Sequence, residues 1–209
     1  MRVIAGEAKG FHLKAPKGMR TRPMADKIKG ALFSMLASLD IAPQHVLDLY
    51  AGSGAVGIEF LSRGAETLDS VEQWTEAQVV IADNLAHTKF ADRATLHKTT
   101  VEAFLTRPLP RDFDTVMIDP PYADPKIVDV MGMIAARVGT GVLPDAILVV
   151  GHSPRVTLPE RVGAFGLLRK RCHGDSCFSI YQGGYAPEAD ASPPDTRHTR
   201  HTRYEEDKT

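Results

Sequence analysis

The 209-residue chain has 43% hydrophobic and 24% charged residues, which suits one large domain with its own core. No apolar run reaches the roughly 20 residues of a membrane-spanning helix, and residues 1–7 lack a signal-peptide pattern, so we expect a cytoplasmic protein without membrane contact. The net charge is −1, but residues 1–29 hold eight Lys/Arg and two acids, a net +6 on an otherwise acidic chain. This uneven distribution favours a nucleic-acid binder over a merely solvated surface.

The chain begins with extended segments and continues with a helix. Gly6 and Gly10 separate two short apolar stretches within residues 1–23, which predicts a small basic hairpin or arm. Met24–Leu39 has apolar residues at the spacing of a helix. From there on, short apolar runs alternate with helical patterns, and strands are predicted at His45–Tyr50, Thr67–Val71, Ala94–His97, Phe113–Ile118 and Ala146–Val150. Strands that alternate with helices predict a parallel sheet covered on both faces.

The pattern changes after Pro159. Gly163–Arg171 and Cys177–Gln182 predict an antiparallel hairpin, and we expect its two cysteines, Cys172 and Cys177, to be reduced thiols rather than metal ligands. The predicted fold is therefore α/β: a Rossmann-like, class I methyltransferase layout with a mostly parallel seven-stranded sheet and a C-terminal antiparallel hairpin. We divide the chain into a basic arm (1–23), a main domain (24–185) and a disordered polar tail (186–209).

Small residues after the first predicted strand form the candidate cofactor loop. Gly52, Gly54 and Gly57 match a G-x-G-x-x-G pattern, in which a ligand approaches the backbone at a helix N-terminus. Dinucleotide and S-adenosylmethionine sites share that pattern. Asp48 favours the second, because a carboxylate suits a cationic ammonium or sulfonium and not a pyrophosphate. We predict that S-adenosylmethionine, released as S-adenosylhomocysteine, is bound by Asp48, Tyr50, Ala51, Gly52, Ser53, Gly54 and Gly57.

Three further positions complete the predicted cofactor site. Glu72 ends the second strand, where an acid can accept hydrogen bonds from both ribose hydroxyls. Thr100, after the third strand, is the best match for a residue that contacts the adenine, and Asp119, after the fourth, is expected to border the cofactor. The alternatives are a turn-capping carboxylate at Asp48 and an ordinary exposed acid at Glu72.

The run Asp119-Pro120-Pro121-Tyr122 carries the predicted chemistry. An exocyclic base amine is a poor nucleophile because its lone pair is delocalised into the ring. The Asp119 side chain and the Pro120 carbonyl can accept its two N–H groups and aim the lone pair at a methyl group, while Pro121 keeps the backbone rigid. Tyr122 can stack on a base turned out of its helix. The run therefore predicts methylation of a base amine without a metal.

Taken together, these motifs resemble the RsmD family of 16S rRNA guanine-N2 methyltransferases. The resemblance covers about residues 1–183. It includes Arg2–Gly10, Arg20–Pro23, Leu47–Glu59 with the glycine-rich loop, the run Asp119-Pro120-Pro121-Tyr122, and Gly174-Asp175-Ser176. It implies methylation of one guanine N2 in 16S rRNA, within the 30S subunit or a late assembly intermediate, by a monomeric enzyme. It also implies RNA contacts from the basic N-terminal segment, with Arg20, Arg22 and Lys27 as the expected contacts.

Other functions remain open at this level. A DNA adenine-N6 methyltransferase shares the tetrapeptide, although such enzymes usually carry a larger target-recognition region. A non-catalytic RNA-binding or assembly protein could use the same scaffold, although Asp48, Glu72 and Asp119 are all present. An NAD-dependent oxidoreductase explains neither Asp48 nor the tetrapeptide.

Overall fold

A computed structural model describes residues 1–16, 26–121 and 126–185. Within them the helices are α1 (Asp26–Ser38), α2 (Ala55–Ser62), α3 (Thr75–Thr88), α4 (Val101–Leu105) and α5 (Ile127–Ala135), with a 3-10 turn at Ala91–Arg93. The strands are β1 (His45–Leu49), β2 (Thr67–Glu72), β3 (Ala94–Lys98), β4 (Phe113–Ile118), β5 (Val142–His152), β6 (Arg161–Val162), β7 (Phe165–His173) and β8 (Ser176–Gly183). Three predicted site residues, Arg20, Arg22 and Tyr122, lie outside the described residues, as does the predicted tail 186–209.

These strands form one sheet in the order β3-β2-β1-β4-β5-β8-β7-β6. β1 to β5 pair in parallel, β8 runs antiparallel to β5 and β7, and β6 runs antiparallel to β7. The predicted mostly parallel sheet with a C-terminal hairpin is confirmed. The predicted number of seven strands is corrected to eight, because the two-residue strand β6 is too short to leave a hydrophobic pattern in the sequence. Strand order reverses beside β1, and ligands of such sheets bind outside the carboxyl ends of the strands at that point.

The apolar side chains of the sheet divide between two faces, as strand periodicity requires. Val46, Met117, Val149 and Phe178 pack in one cluster with α1, α2 and α3, which we call the α1–α3 face. Leu47, Val116 and Val150 belong to a second cluster with α4 and α5, the α4–α5 face. Of the described helices, none is both long and apolar enough to cross a bilayer.

Residues 1–16 form a hairpin that packs into the domain. Arg2 and His12 are bridged in antiparallel fashion, and the N–H of Val3 donates to the carbonyl of Phe11 at 3.0 Å. Val3 and Leu13 are buried in the cluster of the α1–α3 face. The described part of the N-terminal segment is therefore built into the core, and its position relative to the sheet is fixed.

A buried ion pair fastens this hairpin to two helices. Lys29 of α1 and Glu59 of α2 have fully buried side chains, and Nζ of Lys29 lies 3.0 Å from Oε2 of Glu59. The Glu59 carboxylate also accepts the backbone N–H groups of Ile4 at 2.8 Å and Ala5 at 3.0 Å, and pairs with Arg63 at 2.8 Å. Buried charges are stable in this form because hydrogen bonds replace the lost hydration. The sequence did not predict the pair, since Lys29 counted there as part of an exposed basic segment.

The two cysteines differ from the prediction. Cys172 of β7 and Cys177 of β8 are directly opposite each other in the hairpin and form a disulfide. The expectation of two reduced thiols is therefore wrong for this structure. The hairpin turn is shorter than predicted, because His173 pairs with Ser176 and leaves only Gly174 and Asp175 between the strands.

Candidate active site

Three acidic side chains meet at the carboxyl edge of the sheet. Asp48 lies near the end of β1, Glu72 ends β2, and Asp119 follows β4 directly. These strands are neighbours, with β1 in the middle. The structure thus brings together the three acids that the sequence singled out, at the point where the strand order reverses.

Asp48 is held in an environment that disfavours its charge. Its side chain is 2% exposed, and its Oδ2 atom is buried without a hydrogen-bond partner among the described residues. Burial and the negative charges of Asp119 and Glu72 raise the pKa of Asp48, and a backbone hydrogen bond from Gly57 lowers it; the net result is a pKa of about 8. A buried carboxyl beside two other acids is stabilised most by a cationic ligand. The donor set therefore fits an ammonium or sulfonium group.

The loop after β1 has the geometry of a ligand cradle. Gly52 and Gly54 have φ angles of +59° and +75°, which L side chains rarely adopt, and a Cβ on Gly52 would meet only the Tyr50 carbonyl oxygen, at 3.8 Å. The N–H of Gly52 donates to Oε2 of Glu72 at 2.9 Å, and that of Trp74 donates to Oε1 at 2.8 Å. Glu72 therefore ties the loop to the end of β2 and retains free lone pairs for a ligand.

The third glycine of the pattern has a different role. Gly57 lies inside α2, where a Cβ would come within 2.7 Å of the Leu68 side chain and 3.0 Å of Oδ2 of Asp48. A side chain at this position would push α2 away from the sheet and crowd the Asp48 carboxyl. The structure thus explains Gly57 by close packing rather than by ligand contact.

Asp119 faces an opening that Gly151 provides. A Cβ on Gly151 of β5 would lie 2.3 Å from Oδ1 of Asp119, so any larger residue would displace the carboxyl group. Pro120 and Pro121 are half-buried beside it. Burial raises the pKa of Asp119 to about 6, which leaves the group mostly ionised at neutral pH but a better proton acceptor than an ordinary aspartate.

The structure gives other predicted site residues contacts or positions of a different kind. Thr100 is exposed, and its hydroxyl oxygen caps α4 by accepting the N–H of Ala103 at 3.2 Å. The Ser53 hydroxyl is turned toward Met1, at 3.5 Å from its sulfur. Tyr50 has a φ angle of +60°, and Lys27 is exposed in the first turn of α1. An adenine contact at Thr100 and an RNA contact at Lys27 stay predictions.

Asn84 of α3 has an organising role that the sequence did not predict. Its side-chain amide donates to the carbonyl of Ser53 at 2.9 Å and to that of Lys14 at 3.1 Å, and its Oδ1 accepts the N–H of Lys14 at 2.9 Å. A single buried side chain thus joins the cofactor loop to the N-terminal hairpin. No local pattern reveals this, because the partners lie 31 and 70 positions away.

The part of the chain that the structure describes contains no group of three or more His, Cys, Asp or Glu residues arranged to hold a metal ion. The three acids of the site do not converge on one point in that manner. The site instead consists of the buried carboxyl of Asp48, the glycine-rich loop after β1, and the carboxyl of Asp119, which lies next to Gly151.

The chain is similar to several known proteins. The family model described as "Conserved hypothetical protein 95" matches residues 1–182. The "Putative rRNA methyltransferase YlbH" of Bacillus subtilis strain 168 is 34% identical over 184 residues, which cover 87% of this chain and 98% of the relative. The "Ribosomal RNA small subunit methyltransferase D" of Escherichia coli K12 is 27% identical over 192 residues, covering 91% and 94%. A solved structure, "Putative methyltransferase yhhF from Escherichia coli", superposes with a TM-score of 0.73 and 27% identity over 88% and 97% of the two chains.

Proposed function

The chain belongs to the RsmD family, the one described as conserved hypothetical protein 95, and we propose that it methylates the N2 amine of a guanine in 16S rRNA with S-adenosylmethionine as donor. The predicted family and the predicted class I methyltransferase fold are confirmed by the matches to its relatives. The observation that carries the proposed chemistry is the pair of carboxyls, Asp48 and Asp119, at the edge where the sheet reverses order.

The donor set at Asp48 supports S-adenosylmethionine as the cofactor. When bound, it supplies a methyl group on a positively charged sulfur. Asp48 would hold the cationic methionine portion, the backbone of Gly52 and Gly54 would line the loop, and Glu72 would accept hydrogen bonds from the ribose. The unpartnered Oδ2 of Asp48 supports this assignment, because a buried carboxyl oxygen without a donor is costly unless a ligand supplies one.

Asp119 and Pro120 are suited to hold the amine. The Asp119 carboxylate would accept one N–H of the exocyclic amine and the Pro120 carbonyl the other, which orients the nitrogen lone pair toward the methyl group. Gly151 leaves the carboxyl the room it needs to reach a substrate. After the new C–N bond forms, the nitrogen carries a positive charge and must lose a proton. Asp119, with its pKa raised to about 6, can accept that proton.

The choice of guanine N2 and of the small subunit rests on the family. A relative that matches almost all of this chain is named as a small-subunit rRNA methyltransferase. We extend to this chain the substrate that the resemblance implies: 16S rRNA in the 30S subunit or a late assembly intermediate, bound by a monomer. Lys27, together with Arg20 and Arg22, would contact RNA phosphates.

Methyl transfer to small ribosomal subunits tests this proposal. Subunits from a strain that lacks the activity are incubated with the protein and radiolabelled S-adenosylmethionine, and the rRNA is digested to nucleosides. We expect labelled N2-methylguanosine at close to one group per 16S rRNA. Labelled N6-methyladenosine would instead indicate an adenine-N6 enzyme, and the absence of label would indicate a non-catalytic RNA-binding protein.

Two matched variants assign the reaction to the site. Asp119→Ala is expected to abolish methyl transfer while cofactor affinity, measured by calorimetry, stays within about threefold. Asp112→Ala is the control, because Asp112 is an exposed acid that directly precedes β4, whereas Asp119 directly follows it. If Asp119→Ala turned over like the wild type, the role of this carboxyl would be refuted.

A further inference from the structure

The exposed end of β7 carries a run of positive charge that the proposed function has not used. Arg169, Lys170 and Arg171 are exposed, as is the nearby His173. Their hairpin, residues 165–183, holds three Lys/Arg and one acid, whereas the remainder of the domain is acidic. Within residues 1–16, 26–121 and 126–185, none of the ion pairs joins these three Lys/Arg residues to an acid outside their hairpin.

The sheet register aligns this run with the candidate active site. Arg171 of β7 is opposite Phe178 of β8, and Phe178 is opposite Gly151 of β5. Gly151 in turn borders the Asp119 carboxyl. Arg171 and Asp119 therefore lie in one row across the sheet, three strand spacings apart, which amounts to about 14 Å between their backbones. The distance suits contacts to nucleotides next to a base held at Asp119.

The two faces of β7 separate these charges. Phe178 packs in the cluster of the α1–α3 face, so its cross-strand partner Arg171 projects on that face, as does Arg169 two residues earlier. Asp119 projects on the same face, since Met117 of β4 belongs to that cluster. The side chains of Arg169 and Arg171 are thus directed to the same side of the sheet as the reacting group.

Lys170 is directed to the opposite side. Its cross-strand partner is Ser179, whose hydroxyl lies 3.0 Å from Nε2 of His152 on the α4–α5 face. Burial lowers the pKa of His152, and the nearby charge of Lys170 lowers it further, which is consistent with this placement. Lys170 and Arg171 therefore carry the same charge on opposite faces of the sheet. Substitutions at these two positions can test whether the face matters for RNA binding.

We propose that Arg169, Arg171 and His173 form a second RNA-contact surface, which binds phosphates of nucleotides that flank the target base. The proposal rests on the proposed function, because it takes RNA as the substrate. Guanidinium groups bind phosphate through paired, charge-assisted hydrogen bonds. Alternate residues of a strand are about 6.7 Å apart, so the three side chains form an evenly spaced row along one edge of the site.

The hairpin is held ready for such contacts. The disulfide between Cys172 and Cys177 links the two strands beside Arg171, and β8 is paired along its length with the central strand β5. A surface that is ordered before binding loses little conformational entropy when it contacts a phosphate backbone. Of the basic residues in the N-terminal segment, Arg2, Lys14 and Lys29 already form ion pairs with acids of the domain, whereas the hairpin places its cations at exposed positions.

A face-specific pair of charge reversals tests the surface. Arg171→Glu and Lys170→Glu make the same change in net charge at adjacent exposed positions. We expect Arg171→Glu to weaken binding of 16S rRNA about tenfold at low salt and to lower the salt dependence by about one counterion, while Lys170→Glu stays within about twofold of the wild type. Arg171→Gln, which only removes the charge, should give an intermediate loss. Cofactor affinity and melting temperature are expected to stay at wild-type values in all three variants.

RNA binding by filter retention and methyl transfer are measured on the same preparations. Equal losses of RNA affinity in Arg171→Glu and Lys170→Glu would contradict the proposed RNA-contact surface, because a general charge effect would then explain both. Wild-type binding by Arg171→Glu would overturn it as well. If the wild type binds RNA in the face-specific manner but transfers no methyl group, the surface stands and the proposed reaction fails.

Discussion

Replacement of Asp48 by Asn provides the sharpest test of the cofactor site. A pKa of about 8 means that Asp48 is protonated in roughly ten of eleven ligand-free molecules at pH 7. A cationic ligand that needs the carboxylate must first displace this proton. The cost is about 1.4 kcal/mol at pH 7 and about twice that at pH 6, so the affinity should rise about tenfold per pH unit up to pH 8.

Calorimetry in buffers of different ionisation enthalpy measures this coupling directly. At pH 7 the wild type should release about 0.9 proton when it binds S-adenosylmethionine. Asp48→Asn should release none from this position, and its affinity should change little between pH 6 and pH 7.5. Because the ammonium of the cofactor titrates near pH 8 as well, the difference between the two proteins is the quantity to compare.

The same substitution has a defined effect on stability. The pKa of Asp48 is raised from 3.8 in the unfolded chain to about 8 in the folded protein, so the folded state keeps an extra proton between these pH values. The free energy of unfolding should therefore fall as pH rises from about 4 to 8, by up to about 1.4 kcal/mol per unit. Asp48→Asn should remove the part of this fall that Asp48 contributes, whereas the smaller part from Asp119, whose pKa is raised to about 6, should remain. The variant should stay folded at pH 7, because an amide resembles the protonated carboxyl in shape.

Asp119→Asn is a second probe of the same electrostatics. Removal of its negative charge should lower the pKa of Asp48 and shift the rise in cofactor affinity to lower pH. Equal proton release by the wild type and Asp48→Asn would refute the role of Asp48. A wild-type affinity that is constant from pH 6 to pH 8 would refute the raised pKa on which the reasoning depends.

Two more predictions concern packing around the site. Gly151→Ala should lower kcat about tenfold or more, because its Cβ would displace the carboxyl of Asp119. Cofactor affinity should stay nearly unchanged. Single-turnover methyl transfer measures the first effect and calorimetry the second. Glu59→Ala should lower the free energy of unfolding by about 3–5 kcal/mol, because it leaves Lys29 buried without its partner and the N–H groups of Ile4 and Ala5 without their acceptor. Urea denaturation measures this loss of stability, and a loss below about 1 kcal/mol would contradict the prediction.

The fold was predictable wherever one strand or helix carried its own pattern. β4 has the predicted bounds, Phe113–Ile118, because it is a short apolar run between clear breaks in the sequence. The start of β5 was missed: the strand begins at Val142 and not at Ala146, since exposed residues and Pro144 interrupt its apolar pattern. That segment is a strand because Val142 pairs with Phe113, a contact that no local pattern encodes.

The acids of the site were predictable for a related reason. In a parallel sheet, residues at the carboxyl ends of neighbouring strands meet at one edge, so the positions of Asp48, Glu72 and Asp119 follow from strand order alone. The roles of Gly151 and Asn84 do not follow from it. Each depends on a partner more than 30 positions away, and only the assembled fold shows which side chain is there.

A count of charged residues in the sequence does not show which charges are already paired within the fold. The net +6 of residues 1–29 suggested that RNA would be bound there, yet Arg2, Lys14 and Lys29 neutralise acids of the domain and stabilise the N-terminal hairpin. Charge that is already paired gains little from a phosphate, because binding would first have to break the existing contact. An RNA-binding surface should therefore be sought among exposed cations without such pairs that share a face with the reacting group. Among the described residues, Arg169 and Arg171 are exposed, share that face and form no ion pair with an acid outside their hairpin. The comparison of Arg171→Glu with Lys170→Glu asks whether the shared face matters as much as the charge.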